Sequence, residues 1–224
     1  VLFLQGRAAD VNPVLDIPDM EPGEKLGLEL FDAVQTTLEH STASETLHDA
    51  VTIQVLHAFA EIPMKEYPDA GRLAYFLEQN RQQFYQAESR VEGRFPLRAM
   101  LWYQGALAEV SNGLKAPKLT VPLQIVSIAS LLFIMLPFEL FVQTGNAIER
   151  YVQTLGYNED HIFICGYANG TYGYLVPNSE IAKGGYEVDD APIWYGLPMC
   201  SELSEETVVE TVKGMLKDLA DLGH

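Results

Sequence analysis

A single glutamate follows the most hydrophobic run of the chain, at a position where a carboxylate can do chemistry. Glu139 ends the stretch LLFIMLPFE, where a buried strand is predicted to give way to a helix. Open α/β sheets bind ligands at the carboxyl ends of their strands, so this carboxylate is a candidate metal or substrate ligand. A carboxylate in the first turn of a helix also interacts favourably with the helix dipole, which stabilises the helix by about 0.3–1 kcal/mol. Position alone favours the helix-dipole interpretation and leaves the ligand interpretation open.

A tyrosine-rich segment lies downstream of that glutamate. The stretch GYANGTYGYLVPNSEIAKGGYE, residues 166–187, contains four tyrosines and is too long for a simple turn. Long connections of this kind are often functional. A tyrosine phenol ionises near pH 10, and a dication can help it ionise and then hold it as a ligand. The alternative is that the tyrosines are half-buried packing residues whose hydroxyls contact water.

A third candidate segment, RAADVNPV, covers residues 7–14. A predicted strand ends there in small residues, and Asp10 and Asn12 supply polar groups where the chain turns. An ordinary Asx-type turn is the alternative to a catalytic role. The segment contains no serine or cysteine that could act as a nucleophile.

Histidine, the usual metal ligand and general base, forms no motif in this chain. The five histidines are scattered, without an HxH or HExxH pattern: His40, His48, His57, His161 and His224. A self-contained zinc site is therefore not predicted from these residues. The glycine fingerprints of nucleotide-binding loops are absent as well.

The composition excludes some partners. The net charge is −17, with 14 Lys and Arg against 31 Asp and Glu, so the surface repels phosphate backbones and anionic lipid. We therefore expect no nucleic-acid partner. Two cysteines are too few for a disulfide framework, and Cys165 is predicted to be a buried thiol. The apolar run 121–142 is interrupted by polar residues and is better explained by two strands and a helix than by a membrane span.

Hydrophobic periodicity predicts an α/β fold, a mixed α+β layered sandwich in which helices pack on a mixed sheet. Helices are predicted over residues 22–40, 66–92, 97–110, 138–155 and 204–222. Strands are predicted over 1–5, 51–63, 119–129, 131–136 and 161–166, and residues 167–198 are predicted to form a long loop.

Three segments in order resemble the neutral/alkaline non-lysosomal ceramidase family. VLFLQGRAADVNP is similar to that family's strand and turn, FxQxxxGDVSPN. LQIVSIASLLFIMLPFELFVQTGNAIER is similar to its paired strands and its PGE-containing helix start, and YANGTYGYLVPNSEIAKGGYE to its segment rich in Asn and Tyr. Tyr174 and Tyr186 stand twelve residues apart, as in the family pattern. Residues 40–115 carry little of the resemblance.

The resemblance implies a zinc-dependent hydrolase. The family cleaves the amide of N-acylsphingosines with a zinc ion held by two histidines, a glutamate and a tyrosine. By motif position, Glu139 and Tyr174 match the glutamate and tyrosine ligands, and Tyr186 matches a second active-site tyrosine that could hydrogen-bond the developing oxyanion. The family's histidines lie upstream of the GDVSPN-like segment, so we expect the zinc to be shared with two histidines outside this chain.

The resemblance also implies a partner. Residues 1–224 are expected to be the C-terminal portion of a single catalytic domain, whose upstream histidine-bearing portion is absent from this chain. We expect the N-terminal half of that domain, or a partner chain, to cover the surface where it would pack. Homo-oligomerisation stays open.

The chain departs from the family pattern at several positions. Ala9, Asn12 and Val14 replace the glycine, serine and last asparagine of GDVSPN, and PFE replaces PGE. Asn12 cannot be a nucleophile, although its amide could orient a water or donate to an oxyanion; Asp10 and Asn12 are kept as candidate catalytic residues. Phe138 is expected to crowd the approach to Glu139.

These departures favour hydrolysis of an amide or ester by zinc-activated water, with a small-molecule or lipid-like substrate other than ceramide. A catalytically inactive relative that serves binding or assembly is the alternative. A third interpretation is an unrelated α/β domain, which would be indicated if Glu139 and Tyr174 lay far apart.

Overall fold

The computed structural model describes residues 3–12, 22–40 and 51–222. Four residues discussed above, Pro13, Val14, His48 and His224, lie outside this part of the chain. The chain divides into two compact units, one formed by Val1–Asp10 with Ile53–His224 and the other by Val11–Thr52. The smaller unit contains helix α1, Pro22–His40, which has the predicted bounds.

The larger unit is an α/β structure, as predicted. Its longer helices are α2 (Ala70–Gln86), α3 (Arg94–Ser111), α4 (Val142–Thr154) and α7 (Ser204–Leu222). Its strands are β1 (Ile53–Pro63), β2 (Lys118–Ile128), β3 (Leu131–Met135), β4 (Glu139–Leu140), β5 (Ile162–Cys165) and β6 (Tyr174–Leu175). Short helices α5 (Asn178–Ile181) and α6 (Ala191–Tyr195) flank a π-helix, Tyr186–Asp190.

A mixed four-stranded sheet has the order β1-β2-β3-β5. The pairs β1–β2 and β2–β3 are antiparallel, and β3–β5 is parallel. The tight β2–β3 connection places Ala129 at a φ of +51°, as two-residue hairpin turns require. A second, two-stranded sheet pairs β4 with β6 in parallel.

One face of the larger sheet forms the core. Ile125, Leu132 and Ile134 are fully buried there, and they belong to one hydrophobic cluster with Ile148 of α4 and Leu216 of α7. Each such side chain contributes roughly 1.5–3 kcal/mol by leaving water. The alternation of buried and partly exposed residues along β2 and β3 follows from the two-residue period of a strand.

Three sequence predictions are wrong. Residues 3–5 form no strand, and Phe3 is 73% exposed rather than buried. The predicted loop 167–198 contains a strand and short helices. The helix predicted from residue 138 begins only at Val142, because Glu139 and Leu140 are held in extended conformation by pairing with β6.

Within the described residues, no helix is both long enough and apolar enough to cross a bilayer. Residues 121–142 cover most of β2, all of β3 and β4, and the first residue of α4. The two predicted strands are present, and β4 occupies the place where the helix was predicted to begin.

Candidate functional site

The β4–β6 pairing brings the two predicted metal ligands together. Glu139 lies directly opposite Tyr174 in the parallel register, and the Glu139 N–H donates to the carbonyl oxygen of Gly173 over 2.9 Å. Phe138 and Leu140 on either side of Glu139 are buried, whereas Glu139 is only half-buried. Because neighbouring residues of a strand point to opposite faces, the carboxylate faces away from the core.

The segment that follows β5 is hydrogen-bonded along the strand end before Glu139. The Tyr167 N–H donates to the Phe138 carbonyl over 3.0 Å, and the Tyr172 N–H donates to the Pro137 carbonyl over 2.8 Å. Tyr167 has a φ of +53°, which is uncommon for a bulky residue. Strained backbone of this kind often accompanies functional sites, because surrounding contacts must hold it in place.

Gly166 is required by close backbone packing at the same place. A Cβ there would lie 2.9 Å from the Phe138 carbonyl oxygen and 3.0 Å from the Gly6 carbonyl oxygen. The Gly166 N–H donates to the Gln5 carbonyl over 2.9 Å. The chain segments before Glu139, before Tyr167 and around Gly6 therefore meet at this glycine.

Three phenols converge on the Glu139 carboxylate. The Tyr195 hydroxyl donates a hydrogen bond to Glu139 Oε1, and backbone pairing with Phe138 and Glu139 holds Tyr167 and Tyr174 beside the same residue. Burial raises the pKa of Tyr195 to about 12, with the hydrogen bond to Glu139 and its negative charge adding to the effect. The same causes, burial first, raise the pKa of Tyr167 and of Tyr174 well above the ordinary value.

Tyr186 lies beside this cluster and does not hydrogen-bond Glu139. Its ring meets the ring of Tyr174 edge to face, with centroids 6.2 Å apart and an interplanar angle of 83°. The side chain is 49% exposed, so its hydroxyl is open to a ligand. Tyr186 begins the π-helix, a rare element that recurs at functional sites.

Asp10, rather than Glu139, is the carboxylate that contacts the start of α4. Its Oδ1 accepts the N–H of Val142, the first residue of α4, over 2.8 Å. The neighbouring Ala9 N–H donates to the Leu140 carbonyl over 3.0 Å. Asp10 is thus the carboxylate at the helix start, and the helix-dipole interpretation of Glu139 is wrong because Glu139 precedes the helix as part of β4. A catalytic role for Asp10 stays a prediction.

Asn12 belongs to the smaller compact unit, and its side chain is exposed. Its proposed role in orienting a water or an oxyanion stays a prediction.

Phe138 does not crowd the approach to Glu139. Its side chain is 2% exposed and belongs to the hydrophobic core, with its ring centroid 6.4 Å from that of Tyr172. The expectation that Phe138 restricts the site is therefore wrong, and the reason is strand alternation: the side chain next to Glu139 points inward.

Sequence reasoning missed Tyr167 and Tyr195 as members of the cluster. Tyr195 ends α6, and it reaches Glu139 because Gly173 leaves room: a Cβ on Gly173 would lie 3.2 Å from the Tyr195 ring. Gly173 also has a φ of +67°, which favours glycine. Tyr167 lies inside the tyrosine-rich segment, yet its left-handed backbone has no signature in the sequence. Neither residue carried a local signal that separated it from the other tyrosines.

One histidine of this chain is linked by hydrogen bonds to the tyrosine-rich segment. His57 lies opposite Gln124 in the sheet, with 3.2 Å between His57 Nε2 and Gln124 Nε2. The Asn169 side-chain amide donates to Gln124 Oε1 over 2.9 Å. Within residues 3–12, 22–40 and 51–222, no group of three or more His, Cys, Asp and Glu could hold a metal ion.

The donors around Glu139 fit part of a zinc site. Zinc binds carboxylate oxygen and usually takes four ligands, commonly including histidine. A carboxylate and an adjacent phenol are both oxygen donors. Burial and Glu139 disfavour ionisation of the Tyr174 phenol, and a bound dication would favour it. Glu139 and Tyr174 are therefore two neighbouring oxygen donors that could hold a metal ion.

Comparison with known proteins adds information about the fold. No protein-family model and no curated protein matches the chain. Among solved structures, the neutral ceramidase of Pseudomonas aeruginosa aligns over 94% of this chain with 18% identity and a TM-score of 0.51. The fold is ceramidase-like. The chain spans about a third of that enzyme, 36% of its length.

A second solved structure, of a ceramidase complexed with C2, aligns over 46% of this chain and 15% of its own. Its sequence identity is 24% and its TM-score is 0.38. At these identities the likeness concerns the fold alone.

Proposed function

We propose that this chain contributes Glu139 and Tyr174 to the zinc site of a ceramidase-like hydrolase that cleaves an amide or ester bond. The observation that carries the proposal is the β4–β6 register, in which these two residues are direct partners. The ceramidase-like fold supports it, because 94% of this chain aligns with a neutral ceramidase. The arrangement also argues against an unrelated α/β domain, for which the two residues were expected to lie far apart.

Two histidines outside this chain would complete the ligand set. A zinc ion bound there would polarise the substrate carbonyl and lower the pKa of a water molecule. Glu139 is oriented for this role by its own backbone bond to Gly173 and by the Tyr195 hydroxyl, which donates to its carboxylate. A ligand held from several sides keeps its geometry without reorganisation when substrate binds.

The tyrosines would stabilise negative charge during hydrolysis. Tyr186 is exposed next to Tyr174, so its hydroxyl can donate to the oxygen of a carbonyl that gains negative charge. Tyr195, whose pKa is raised to about 12, stays protonated at neutral pH and remains a hydrogen-bond donor. Asp10 would support the site without contacting the substrate, because its carboxylate holds the start of α4, two residues after Leu140.

The substrate is proposed to be a small or lipid-like amide other than ceramide, because Asn12 replaces the serine of the family-like segment. The test uses the complete natural polypeptide loaded with zinc. It is offered N-acylsphingosine, simpler N-acyl amines and the matching esters, and the released amine or alcohol is measured. We expect zinc-dependent release from a substrate other than N-acylsphingosine, and loss of release in Glu139→Gln. Zinc binding without release from any substrate would contradict a hydrolase.

That contrary result would favour the second candidate, a catalytically inactive relative that serves binding or assembly. Asn12 still supports this alternative. Phe138 no longer does, because its side chain lies in the core.

We also propose that the N-terminal half of the same domain, or a partner chain, packs on the outer face of the four-stranded sheet. Val55, Val126, Phe133 and Phe163 form one row across this face, and the rings of Phe133 and Phe163 stack with centroids 4.9 Å apart. Phe59 on the same face of β1 is 73% exposed. Exposed apolar surface of this kind commonly marks an interface.

The interface is tested by co-purification with the polypeptide that supplies the histidines. Phe59→Asp should weaken that association while the isolated chain unfolds as before. Unchanged association would contradict the proposed face, and self-association of the isolated chain measured by light scattering would favour a homo-oligomer.

A further inference from the structure

A cavity of about 290 Å³ lies at the start of α2, apart from the glutamate and tyrosine site. Its walls come from the segment after β1, from α2 and α3, and from the π-helix. Four aromatic residues line it: Tyr67, Phe76, Trp102 and Tyr103. Since ligand pockets for drug-sized molecules range from roughly 300 to 1,000 Å³, this cavity suits a smaller molecule.

The aromatic rings form a connected box. Trp102 meets Tyr67 edge to face with centroids 5.9 Å apart, and it meets Tyr103 edge to face at 5.1 Å. Tyr103 stacks on Phe76 at 5.4 Å. The Trp102 indole N–H donates to the Leu197 carbonyl over 2.7 Å, which fixes the ring. These contacts give the cavity one wall of aromatic faces and edges.

Charges of both signs surround this box. Lys65 and Arg72 line the cavity together with Glu66 and Asp189. Within the described part of the chain, none of these four takes part in an ion pair. The Arg72 guanidinium lies 5.6 Å from the centroid of the Phe76 ring, and Asp189 Oδ2 accepts the Gly185 N–H over 2.9 Å.

The charged groups act on the same aromatic residue. Burial raises the pKa of Tyr103, and the carboxylate of Asp190 raises it further, while the Arg72 guanidinium lowers it and Asp189 raises it. The Arg72 and Asp189 side chains, which line the cavity together with Tyr103, therefore act on its pKa with opposite sign. Two cations and two anions line the cavity, so its formal charge balances although the whole chain carries −17.

We propose that this cavity binds a small zwitterion with a flat apolar body, of the size of an aromatic amino acid. Its carboxylate would bind Arg72 and Lys65, because guanidinium and ammonium groups form charge-assisted hydrogen bonds with carboxylates. Its ammonium group would bind Asp189 and Glu66 beside the aromatic faces, which attract cations. The apolar body would stack within the box formed by Trp102 and its neighbours. A ligand with a single charge would leave one pair of these groups without a partner.

The test uses Trp102 as the reporter. The chain has two tryptophans, so the full chain with Trp194→Phe retains only Trp102, inside the cavity. Its fluorescence is titrated with phenylalanine, with phenylpropionate, which lacks the ammonium group, and with phenethylamine, which lacks the carboxylate. Because each analogue lacks one of the two charged groups that the cavity would bind, we expect phenylalanine to bind about tenfold more tightly than either analogue.

Arg72→Gln should weaken phenylalanine binding about tenfold or more and leave phenethylamine binding unchanged. Arg81→Gln is the matched control: it lies on the same helix, is exposed, and does not line the cavity. Equal affinity for all three ligands, no response of Trp102 to any of them, or equal effects of the two arginine substitutions would overturn the proposal. Each result is independent of zinc content and of hydrolysis.

Discussion

Glu139 and Tyr174 are direct partners in two parallel strands of only two residues each. Direct register places their side chains on the same face of this small sheet. The carboxylate and the phenol are therefore positioned by backbone hydrogen bonds, and the Tyr195 hydroxyl donates to the same carboxylate. The following predictions test how this cluster is held and what it does.

The first prediction concerns the ionisation of the cluster. Glu139→Gln removes the negative charge that, after burial, raises the pKa of Tyr195 to about 12. We expect the pKa of Tyr195 to fall towards the ordinary value near 10. The ultraviolet absorbance of phenolate, followed during an alkaline titration and compared with that of a Tyr195→Phe variant, measures the change. Glu78→Gln, on the exposed surface of α2, should leave the titration curve unaltered.

The same shift predicts how stability depends on pH. Tyr195 keeps its proton in the folded state up to about 12, whereas in the unfolded state it loses the proton near pH 10. The folded state thus binds more protons in this window, and stability falls as pH rises from about 10 to 12. In chemical denaturation at a series of pH values, Glu139→Gln should show a smaller fall in the free energy of unfolding. An equally large fall would contradict a contribution of Glu139 to the raised pKa of Tyr195.

The second prediction concerns Gly166. A Cβ at this position would press against two backbone carbonyl oxygens, which cannot rotate away as a side chain could. Gly166→Ala should destabilise the fold by about 1–3 kcal/mol. The matched control is Gly105→Ala in α3, where nothing lies within 4 Å of the added atom; because alanine is the better helix former, it should stabilise by up to about 1 kcal/mol. Chemical denaturation measures both, and equal effects would exclude close packing at Gly166.

The third prediction concerns Asp10. Its carboxylate accepts the N–H of Val142 at the start of α4, so Asp10→Ala should lower the free energy of unfolding by about 1 kcal/mol. Asp218→Ala, on the exposed side of α7, should change it by less than about 0.5 kcal/mol. If Asp10→Ala abolished hydrolysis with no loss of stability, Asp10 would instead have the catalytic role expected from the sequence.

The fourth prediction separates two roles for Phe138. As a core residue that is 2% exposed, Phe138→Ala should destabilise the fold by about 3–5 kcal/mol. Phe163→Ala, at a partly exposed position in the outer sheet face, should lower the free energy of unfolding by clearly less. If Phe138→Ala left stability intact and widened the range of hydrolysed substrates, the residue would border the site after all.

Much of the fold was predictable because its signals are local. Helix α7 has the predicted bounds, since Ser204 opens it and its apolar residues recur with helical spacing. The strands β1, β2 and β3 were predicted to within two residues at each end, because alternation and apolar runs mark them.

The site was predictable only in part because its geometry is set by distant contacts. Glu139 and Tyr174 were identified through the family resemblance, yet the two strands that pair them have two residues each, too few to show periodicity. Tyr195 reaches Glu139 from α6, which lies far along the chain. Asp10 caps a helix across an even longer separation. No local pattern encodes such pairings, and position alone therefore favoured Glu139 as the carboxylate at the helix start.

We propose that Glu139 and Tyr174 hold a zinc ion together with two histidines outside this chain. The zinc content of the complete natural polypeptide, measured by mass spectrometry of the metal after dialysis, tests this most directly. We predict about one zinc ion per polypeptide for the natural sequence, as expected for a single catalytic site. Zinc should be strongly reduced in Glu139→Gln and in Tyr174→Phe, and retained in Glu78→Gln. Undiminished zinc in both site variants would contradict the account.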